Sequence, residues 1–161
     1  MGYALNSTKT NNYHAAQLGN VLQLMTATGR SNLSIGALHT WLWPAIKLNQ
    51  IEFIYANHRG APVAYIIWAF LSDDVVKEMK SGSERLLDIS EWNEGDNLWI
   101  MDIVALPGAL RPIIYHTFGE RLKHVTRIQG LRFSTQKRKQ HFCNVKVRPN
   151  RFASSFAKYL A

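Results

Sequence analysis

Apolar residues recur at a helical spacing near the start of the chain and in strand-like runs further along. Over residues 13–28 the apolar positions fall on one face of a predicted helix, and Gly29 is a suitable stop signal. That apolar face consists of Leu18, Val21, Leu22 and Met25. Ser34 can cap a second helix that runs to about residue 43, and Pro44 is expected to end it.

Strand patterns dominate the middle of the chain. Residues 50–71 predict two strands joined by a polar, glycine-containing turn at 57–60, which together form a hairpin. Residues 72–80 begin with "SDD" and predict a short helix, because acidic side chains are favourable near the positive end of the helix dipole. After a polar loop at 81–97, the run "LWIMDIVAL" (98–106) is typical of a strand buried on both faces.

The remaining elements complete one fold class. Residues 111–123 predict a helix with Pro112 in its first turn, and "VTRIQGLRF" (125–133) predicts a further strand. Two or three helices on a mixed, mainly antiparallel sheet form an α+β domain. A chain of 161 residues is long enough to bury a core without disulfides or metals, so residues 1–161 are expected to be a single domain.

One carboxylate, Asp102, lies inside the apolar run 98–106. A carboxylate in a buried strand loses several kcal/mol of solvation unless it is paired, strongly hydrogen-bonded or protonated. Two interpretations follow from this cost. Asp102 is either a structural residue that accepts hydrogen bonds from a turn or an arginine, or a functional residue that orients a base or nucleophile.

Composition narrows the class of protein. Hydrophobic residues make up 47% of the chain and charged residues 19%, which is too apolar for a disordered protein. No window reaches the roughly 18 apolar residues of a membrane span, and the N-terminus lacks a signal-peptide pattern. The single Cys143 has no partner for a disulfide or at metal-ligand spacing. We therefore expect a cytoplasmic protein without a metal site.

Charge is concentrated at one end of the chain. Residues 1–120 contain 8 Lys or Arg and 11 Asp or Glu, a net charge of −3. Residues 121–161 contain 11 basic residues and no acidic ones. Such a basic C-terminal segment attracts polyanions, whether nucleic acid, anionic lipid or an acidic protein.

An ordered set of tryptophan, glycine and aspartate positions resembles a known family. The segments are "QLGNVL" (17–22), "LWPAI" (42–46), "PVAYIIWAFLS" (62–72) and "EWNEGDNLWIMDIVALPG" (91–108). The most specific positions are Pro62, Ala64, Tyr65, Trp68, Trp92, Gly95, Asp96, Trp99, Asp102 and Gly108. In order and spacing they resemble the RTX toxin-activating lysine acyltransferases, also called the hemolysin-activator family.

The resemblance implies a fold, an activity and partners. It implies a fold similar to that of the GNAT acyltransferases and an enzyme of the bacterial cytoplasm, where members of the family often form homodimers. It implies transfer of a fatty acyl chain from acyl carrier protein to internal lysines of an RTX protoxin, with no bound cofactor. The catalytic aspartate of the family would fall on Asp102, and its catalytic histidine on Arg30 or Ser31.

This sequence departs from the family at that histidine, because "TGRSNL" (28–33) contains none. His39, on the second predicted helix, and His14, ahead of the QLGN segment, are the candidate substitutes. Three alternatives remain open. Asp102 acts alone as base or orienting group, one of these histidines replaces the missing one, or the protein binds its partners without catalysing transfer.

The basic C-terminal segment offers a docking surface for an acyl donor. "RIQGLR" (127–132) matches a coenzyme A loop of the GNAT type poorly, because Arg132 stands where a small residue is needed. Acyl carrier protein is acidic, and Arg132, Lys137, Arg138 and Lys139 are the residues predicted to dock it. The alternatives are a solvated tail and a small basic nucleic-acid-binding module. The module is not favoured, because residues 1–120 are net negative and no nucleic-acid motif occurs.

Overall fold

The computed structural model describes residues 9–30, 34–56, 60–81, 86–134 and 139–146. The helices are α1 (Lys9–Ala27), α2 (Ile35–Lys47), α3 (Asp73–Lys80) and α4 (Leu110–His116). The strands are β1 (Ile51–Tyr55), β2 (Pro62–Leu71), β3 (Asn97–Ala105), β4 (Arg127–Ser134) and β5 (Lys139–Lys146). A 3₁₀ turn at Ile89–Trp92 precedes β3, and a π-helical turn at Thr117–Arg121 extends α4.

The five strands form one sheet in the order β1-β2-β3-β4-β5. Neighbouring strands are antiparallel except β3 and β4, which are parallel. A parallel pair needs a long crossover connection, which here contains α4. The predicted α+β class and the mixed, mainly antiparallel sheet are thereby confirmed. The likeness to GNAT acyltransferases and the single-domain organisation of residues 1–161 stay predictions.

Helices cover both faces of this sheet. On one face, which we call the three-helix face, side chains of α1, α2 and α3 form a core with inward residues of β2 and β3. On the opposite face, which we call the α4 face, α4 and its π-helical turn form a second core. The central strand β2 is therefore buried on both sides, and residues 64–69 are at most 2% exposed.

Local signals predicted several elements correctly. The hairpin of β1 and β2 is antiparallel with Phe53 opposite Tyr65, and residues 57–59 of its predicted turn at 57–60 lie outside the described residues. Helix α3 begins after Ser72, whose hydroxyl accepts a hydrogen bond from the Val75 N–H. Such a cap replaces a backbone partner that the first turn of a helix lacks.

The predicted end of α2 at Pro44 is wrong, since the helix continues to Lys47. Proline has no N–H to donate within a helix, a cost of about 3 kcal/mol in an isolated one. Here the last turn buries Ala45 and Ile46 at 0% and 1% exposure. Burial of these side chains offsets the missing hydrogen bond, so tertiary packing overrides the local signal.

Two elements were missing from the sequence-based prediction. The loop expected at 81–97 contains the 3₁₀ turn, which Asp88 begins with a capping box to Glu91. The segment expected to be only a basic tail contains the edge strand β5. Lysines are common on edge strands because they oppose further strand pairing, and they also hide the apolar alternation that a strand prediction needs.

Candidate functional site

A β-bulge sets the face on which Asp102 lies. Ile67 of β2 pairs with Asp102 and Trp68 pairs with Ile100, so Met101 is an extra residue on β3. Side chains in a strand alternate between faces, and an extra residue reverses the alternation beyond it. Trp99 and Asp102 are three residues apart and would lie on opposite faces of a regular strand. Because of the bulge, both lie on the three-helix face. Without the bulge, Asp102 would lie on the α4 face beside Ile100.

The end of α1 brings Arg30 to Asp102. Gly29 adopts a left-handed conformation with φ of +73°, and the Arg30 N–H donates to the Met25 carbonyl at 2.8 Å. The Gly29 N–H donates to the Thr26 carbonyl at 3.2 Å, which completes a Schellman motif. The glycine predicted as a stop signal is thus confirmed, and the turn that it forms directs the Arg30 side chain toward β3.

Asp102, Arg30 and Tyr65 form one hydrogen-bonded cluster. Nη1 of Arg30 lies 2.9 Å from Oδ1 of Asp102 and 3.3 Å from Oδ2. The Tyr65 hydroxyl donates to Oδ2 at 2.7 Å, a usual length for an O–H···O hydrogen bond. In the described part of the chain, these two side chains are the polar partners of Asp102. They supply the pairing that a largely buried carboxylate requires.

Burial and charge shape the protonation of this cluster. Tyr65 is fully buried, and burial together with the neighbouring Asp102 carboxylate raises the pKa of its hydroxyl well above the usual value. Burial lowers the pKa of the Arg30 guanidinium, but Asp102 more than offsets this and the net pKa is raised. Tyr65 therefore remains a neutral donor and Arg30 a permanent cation at any physiological pH.

The cluster is open to solvent on the side of Arg30. The Arg30 side chain is 44% exposed and that of Asp102 is 14% exposed. Both hydrogen bonds to Asp102 come from Nη1, and Nη2 and Nε meet no acceptor among the described residues. A guanidinium carries five N–H donors, so the site offers positively charged donors to a ligand.

The parallel strands β3 and β4 diverge beside this cluster. β3 pairs with β2 at eight positions but with β4 at two, Trp99 with Gln129 and Ile100 with Gly130. A side chain at Gly130 would lie 3.3 Å from the Ile100 carbonyl, so the glycine allows the strands to approach there. Both strands continue beyond the last pair, which lies two residues before Asp102. "RIQGLR" is consequently strand, and not a phosphate-binding loop.

The two candidate histidines lie elsewhere on the helices. His14 on α1 packs edge-on against Trp43 with ring centroids 6.2 Å apart. His39 on α2 lines an apolar groove of about 310 Å³ between the two helices. The other residues of the groove are Leu18, Leu22, Ile35, Leu38 and Trp43. Neither histidine is a hydrogen-bond partner of Asp102, so their catalytic role stays a prediction.

The other predicted site residues are only partly visible. Ser31, Lys137 and Arg138 lie outside the described residues, and Arg132 and Lys139 lie in β4 and β5, with side chains that are not described. Docking of an acyl carrier protein on this surface therefore stays a prediction. In the described segments, no three His, Cys, Asp or Glu side chains cluster in a way that could hold a metal ion.

Tyr65 is the site residue that the sequence interpretation missed. It was counted among the positions of family resemblance and not among the functional residues. A polar signal was present, because a tyrosine in a fully buried strand needs a partner for its hydroxyl. The partner was not predictable, since the register of β2 on β3 depends on the bulge at Met101.

Fold and site together define an α+β domain with a carboxylate, a cation and a phenol at the point where two parallel strands diverge. Residues 9–147 match the model of the RTX toxin acyltransferase family. Because this match covers most of the chain, the protein belongs to that family. The resemblance seen in the sequence is thereby confirmed.

Individual relatives agree with this assignment. The lysine-acyltransferase RtxC of Vibrio cholerae is 34% identical over 71 residues, 44% of this chain and 45% of that protein. A leukotoxin-activating lysine-acyltransferase LktC of Mannheimia haemolytica is 36% identical over 99 residues, 60% of this chain and 56% of that protein. An uncharacterized protein of Synechocystis sp. is 27% identical over 99 residues, 61% of this chain and 67% of its own length. The matched region spans about half the length of the named acyltransferases.

Proposed function

We propose that this protein is a lysine acyltransferase that transfers a fatty acyl chain from acyl carrier protein to internal lysines of an RTX protoxin. Membership of the RTX toxin acyltransferase family supports the reaction. The observation that carries the proposal is the placement of Asp102, held by Arg30 and Tyr65 beside the divergence of β3 and β4. A largely buried carboxylate paired with a partly exposed guanidinium is an arrangement typical of a functional site.

The diverging strands supply a place for the acyl donor. Acyl carrier protein presents its acyl chain as a thioester on an extended prosthetic arm that contains amide groups. Strand backbone beyond the last β3–β4 pair can exchange hydrogen bonds with such an arm, as a sheet edge does with an added strand. The arm would then deliver the thioester to the end of the sheet where Asp102 lies.

The partners and location follow from the same proposal. Acyl carrier protein is acidic, and residues 121–161 carry 11 basic residues and no acidic ones, which favours association through charge complementarity. The reaction would take place in the bacterial cytoplasm, and a homodimer stays a prediction. In the described part of the chain, no helix is long and apolar enough to cross a membrane.

Coexpression with an RTX protoxin in a bacterium tests the function. Mass spectrometry of the digested protoxin should find fatty acyl groups on lysines with the wild-type protein and none with Asp102→Ala. Asp74→Ala is the matched control, because Asp74 is an exposed carboxylate (88%) on α3 whose loss should leave acylation intact. Thermal unfolding of each variant separates loss of activity from loss of the fold.

Each outcome of that experiment has a distinct meaning. Full acylation by the Asp102→Ala variant would contradict the role of Asp102 and leave the activity standing. An unmodified protoxin in the wild-type culture would contradict the activity itself. If the two proteins then still co-purified, the chain would be a binding partner that does not catalyse transfer.

A further inference from the structure

The cluster at Asp102 holds a fixed charge where acyl transfer to lysine commonly employs a base. Arg30 interacts with Asp102 on β3 and Tyr65 on β2, and these are the charged and titratable groups that face it in the described part of the chain. A guanidinium does not give up its proton in proteins, and a buried tyrosine donating to a carboxylate cannot accept one. Asp102 already accepts three hydrogen-bond contacts from its two neighbours.

We propose that Arg30 is a catalytic residue that stabilises the oxyanion formed from the thioester carbonyl, and that Asp102 and Tyr65 are positioning residues that hold it. This inference rests on the proposed acyl transfer to lysine. Its geometric basis is the orientation of the guanidinium, which commits Nη1 to Asp102 and leaves Nη2 and Nε for a ligand on the exposed side. Fixed donors aimed at developing negative charge are among the largest contributions to catalysis.

The proposed reaction balances without a protein base. The neutral amine of the acceptor lysine attacks the thioester carbon, and the carbonyl oxygen becomes an oxyanion held by Nη2 and Nε of Arg30. The oxyanion then collapses, the C–S bond breaks, and the carrier arm leaves as a thiolate. The lysine nitrogen loses one proton to solvent and the thiolate takes up one proton from solvent, so the products are an amide and a thiol.

This mechanism has a characteristic dependence on pH. A lysine amine has an ordinary pKa of about 10.4, so its neutral fraction rises about tenfold per pH unit through the neutral range. With no titrating base in the cluster, the rate should continue to rise from pH 6 to pH 9. A histidine base that takes the proton of the acceptor ammonium would instead give a rate that levels off above about pH 7, because histidine ordinarily titrates near 6.5.

The test is the single-turnover rate of acyl transfer from palmitoyl-acyl carrier protein to a purified RTX protoxin. It is measured at saturating concentrations between pH 6 and pH 9. We expect the wild-type rate to rise throughout this range. Arg30→Gln should lower the rate at every pH by about 10²–10³-fold, the usual effect of removing one oxyanion donor group, with little change in KM for the donor. The rate of the Arg30→Lys variant should lie between the rates of the wild type and Arg30→Gln, because an ammonium keeps the positive charge but lacks the paired N–H donors of a guanidinium.

Arg111→Gln is the matched control, because Arg111 is an exposed arginine on α4. Its rate should equal that of the wild type. An Arg30→Gln variant that folds and keeps the wild-type rate would overturn the role of Arg30 and leave the acyltransferase activity intact. A wild-type rate that levels off near pH 7 would do the same and would point to His14 or His39. A wild-type protein without transfer at any pH would overturn the proposed function and this inference together.

Discussion

At the scale of single residues, the site depends on how one carboxylate is accommodated in an apolar strand. Asp102 has 14% of its side chain exposed, and Arg30 and Tyr65 satisfy it from two different elements. Tyr65 is the more deeply buried partner, at 0% exposure. Burial and the Asp102 carboxylate raise the pKa of its hydroxyl, so ionising Tyr65 would destabilise the folded protein. Its contribution is therefore visible in stability as well as in activity.

Replacement of Tyr65 by phenylalanine should change stability in a way that depends on pH. At pH 7, loss of a hydrogen bond to a charged group should lower the free energy of unfolding by about 1.5–3 kcal/mol. Above pH 10 the unfolded wild-type chain ionises Tyr65 while the folded protein cannot, because its folded pKa is raised. The stabilisation that the Tyr65 hydroxyl gives to the folded protein is therefore fully present below pH 10. It falls by about 1.4 kcal/mol per pH unit above pH 10.

The measurement is urea unfolding at pH 7, 10, 10.5 and 11, with Tyr115→Phe as the control for an exposed tyrosine (43%). The stability difference between wild type and Tyr65→Phe should narrow as the pH rises above 10. A difference in the free energy of unfolding between wild type and Tyr65→Phe that stays constant from pH 7 to pH 11 would contradict the assignment of Tyr65 as a neutral donor to Asp102.

At the scale of elements, the sequence predicted what local signals determine and missed what long-range contacts determine. Helix α1, the β1–β2 hairpin and α3 have periodicity, turns and caps that can be recognised in the sequence. The continuation of α2 beyond Pro44 depends on burial of its last turn, and the bulge at Met101 depends on pairing with β2. Neither cause lies within the segment itself.

Two glycines provide a contrast at this scale. Gly95 lies in the loop before β3, where an added Cβ would lie 2.1 Å from the Leu71 carbonyl oxygen. Gly95→Ala must displace that loop and weaken the hydrogen bonds that the Glu94 and Gly95 N–H groups donate to the Phe70 carbonyl. We expect a loss of about 2–3 kcal/mol in the free energy of unfolding, by steric clash and broken hydrogen bonds.

Gly19→Ala is the matched substitution inside α1, where nothing lies within 4 Å of an added Cβ. It should raise the free energy of unfolding by about 0.5–1 kcal/mol, because alanine loses less backbone entropy in a helix. Thermal or urea unfolding of both variants checks the pair. Equal effects of the two substitutions would contradict the close approach of the Gly95 loop to Leu71.

At the scale of the whole molecule, the sheet joins a site on its three-helix face to a basic C-terminal segment. The sequence predicted Asp102 as the key carboxylate and Arg30 as one of the two positions for the missing histidine. It did not predict that the two would contact each other, because they are 72 residues apart and meet only through the Schellman turn and the bulge.

The positive charge of the basic C-terminal segment should govern affinity for acyl carrier protein and should have little effect on the rate of the chemical step. Replacement of Arg132, Lys137, Arg138 and Lys139 by glutamate should raise KM for acyl carrier protein about tenfold or more with kcat nearly unchanged. Opposite charges steer association, and the effect should weaken at high salt. Steady-state kinetics at two salt concentrations provide the measurement. Arg111→Glu is the control, because Arg111 is an exposed arginine on α4 outside the basic segment and its replacement should leave KM nearly unchanged.

We propose above all that this chain itself moves an acyl group from acyl carrier protein to a protein lysine. The most direct measurement is the intact mass of a purified RTX protoxin after incubation with palmitoyl-acyl carrier protein and the purified protein. We expect the protoxin to gain one or more palmitoyl groups with the wild type, and none with Asp102→Ala or without the protein. An unchanged protoxin mass in the presence of folded wild-type protein would contradict it.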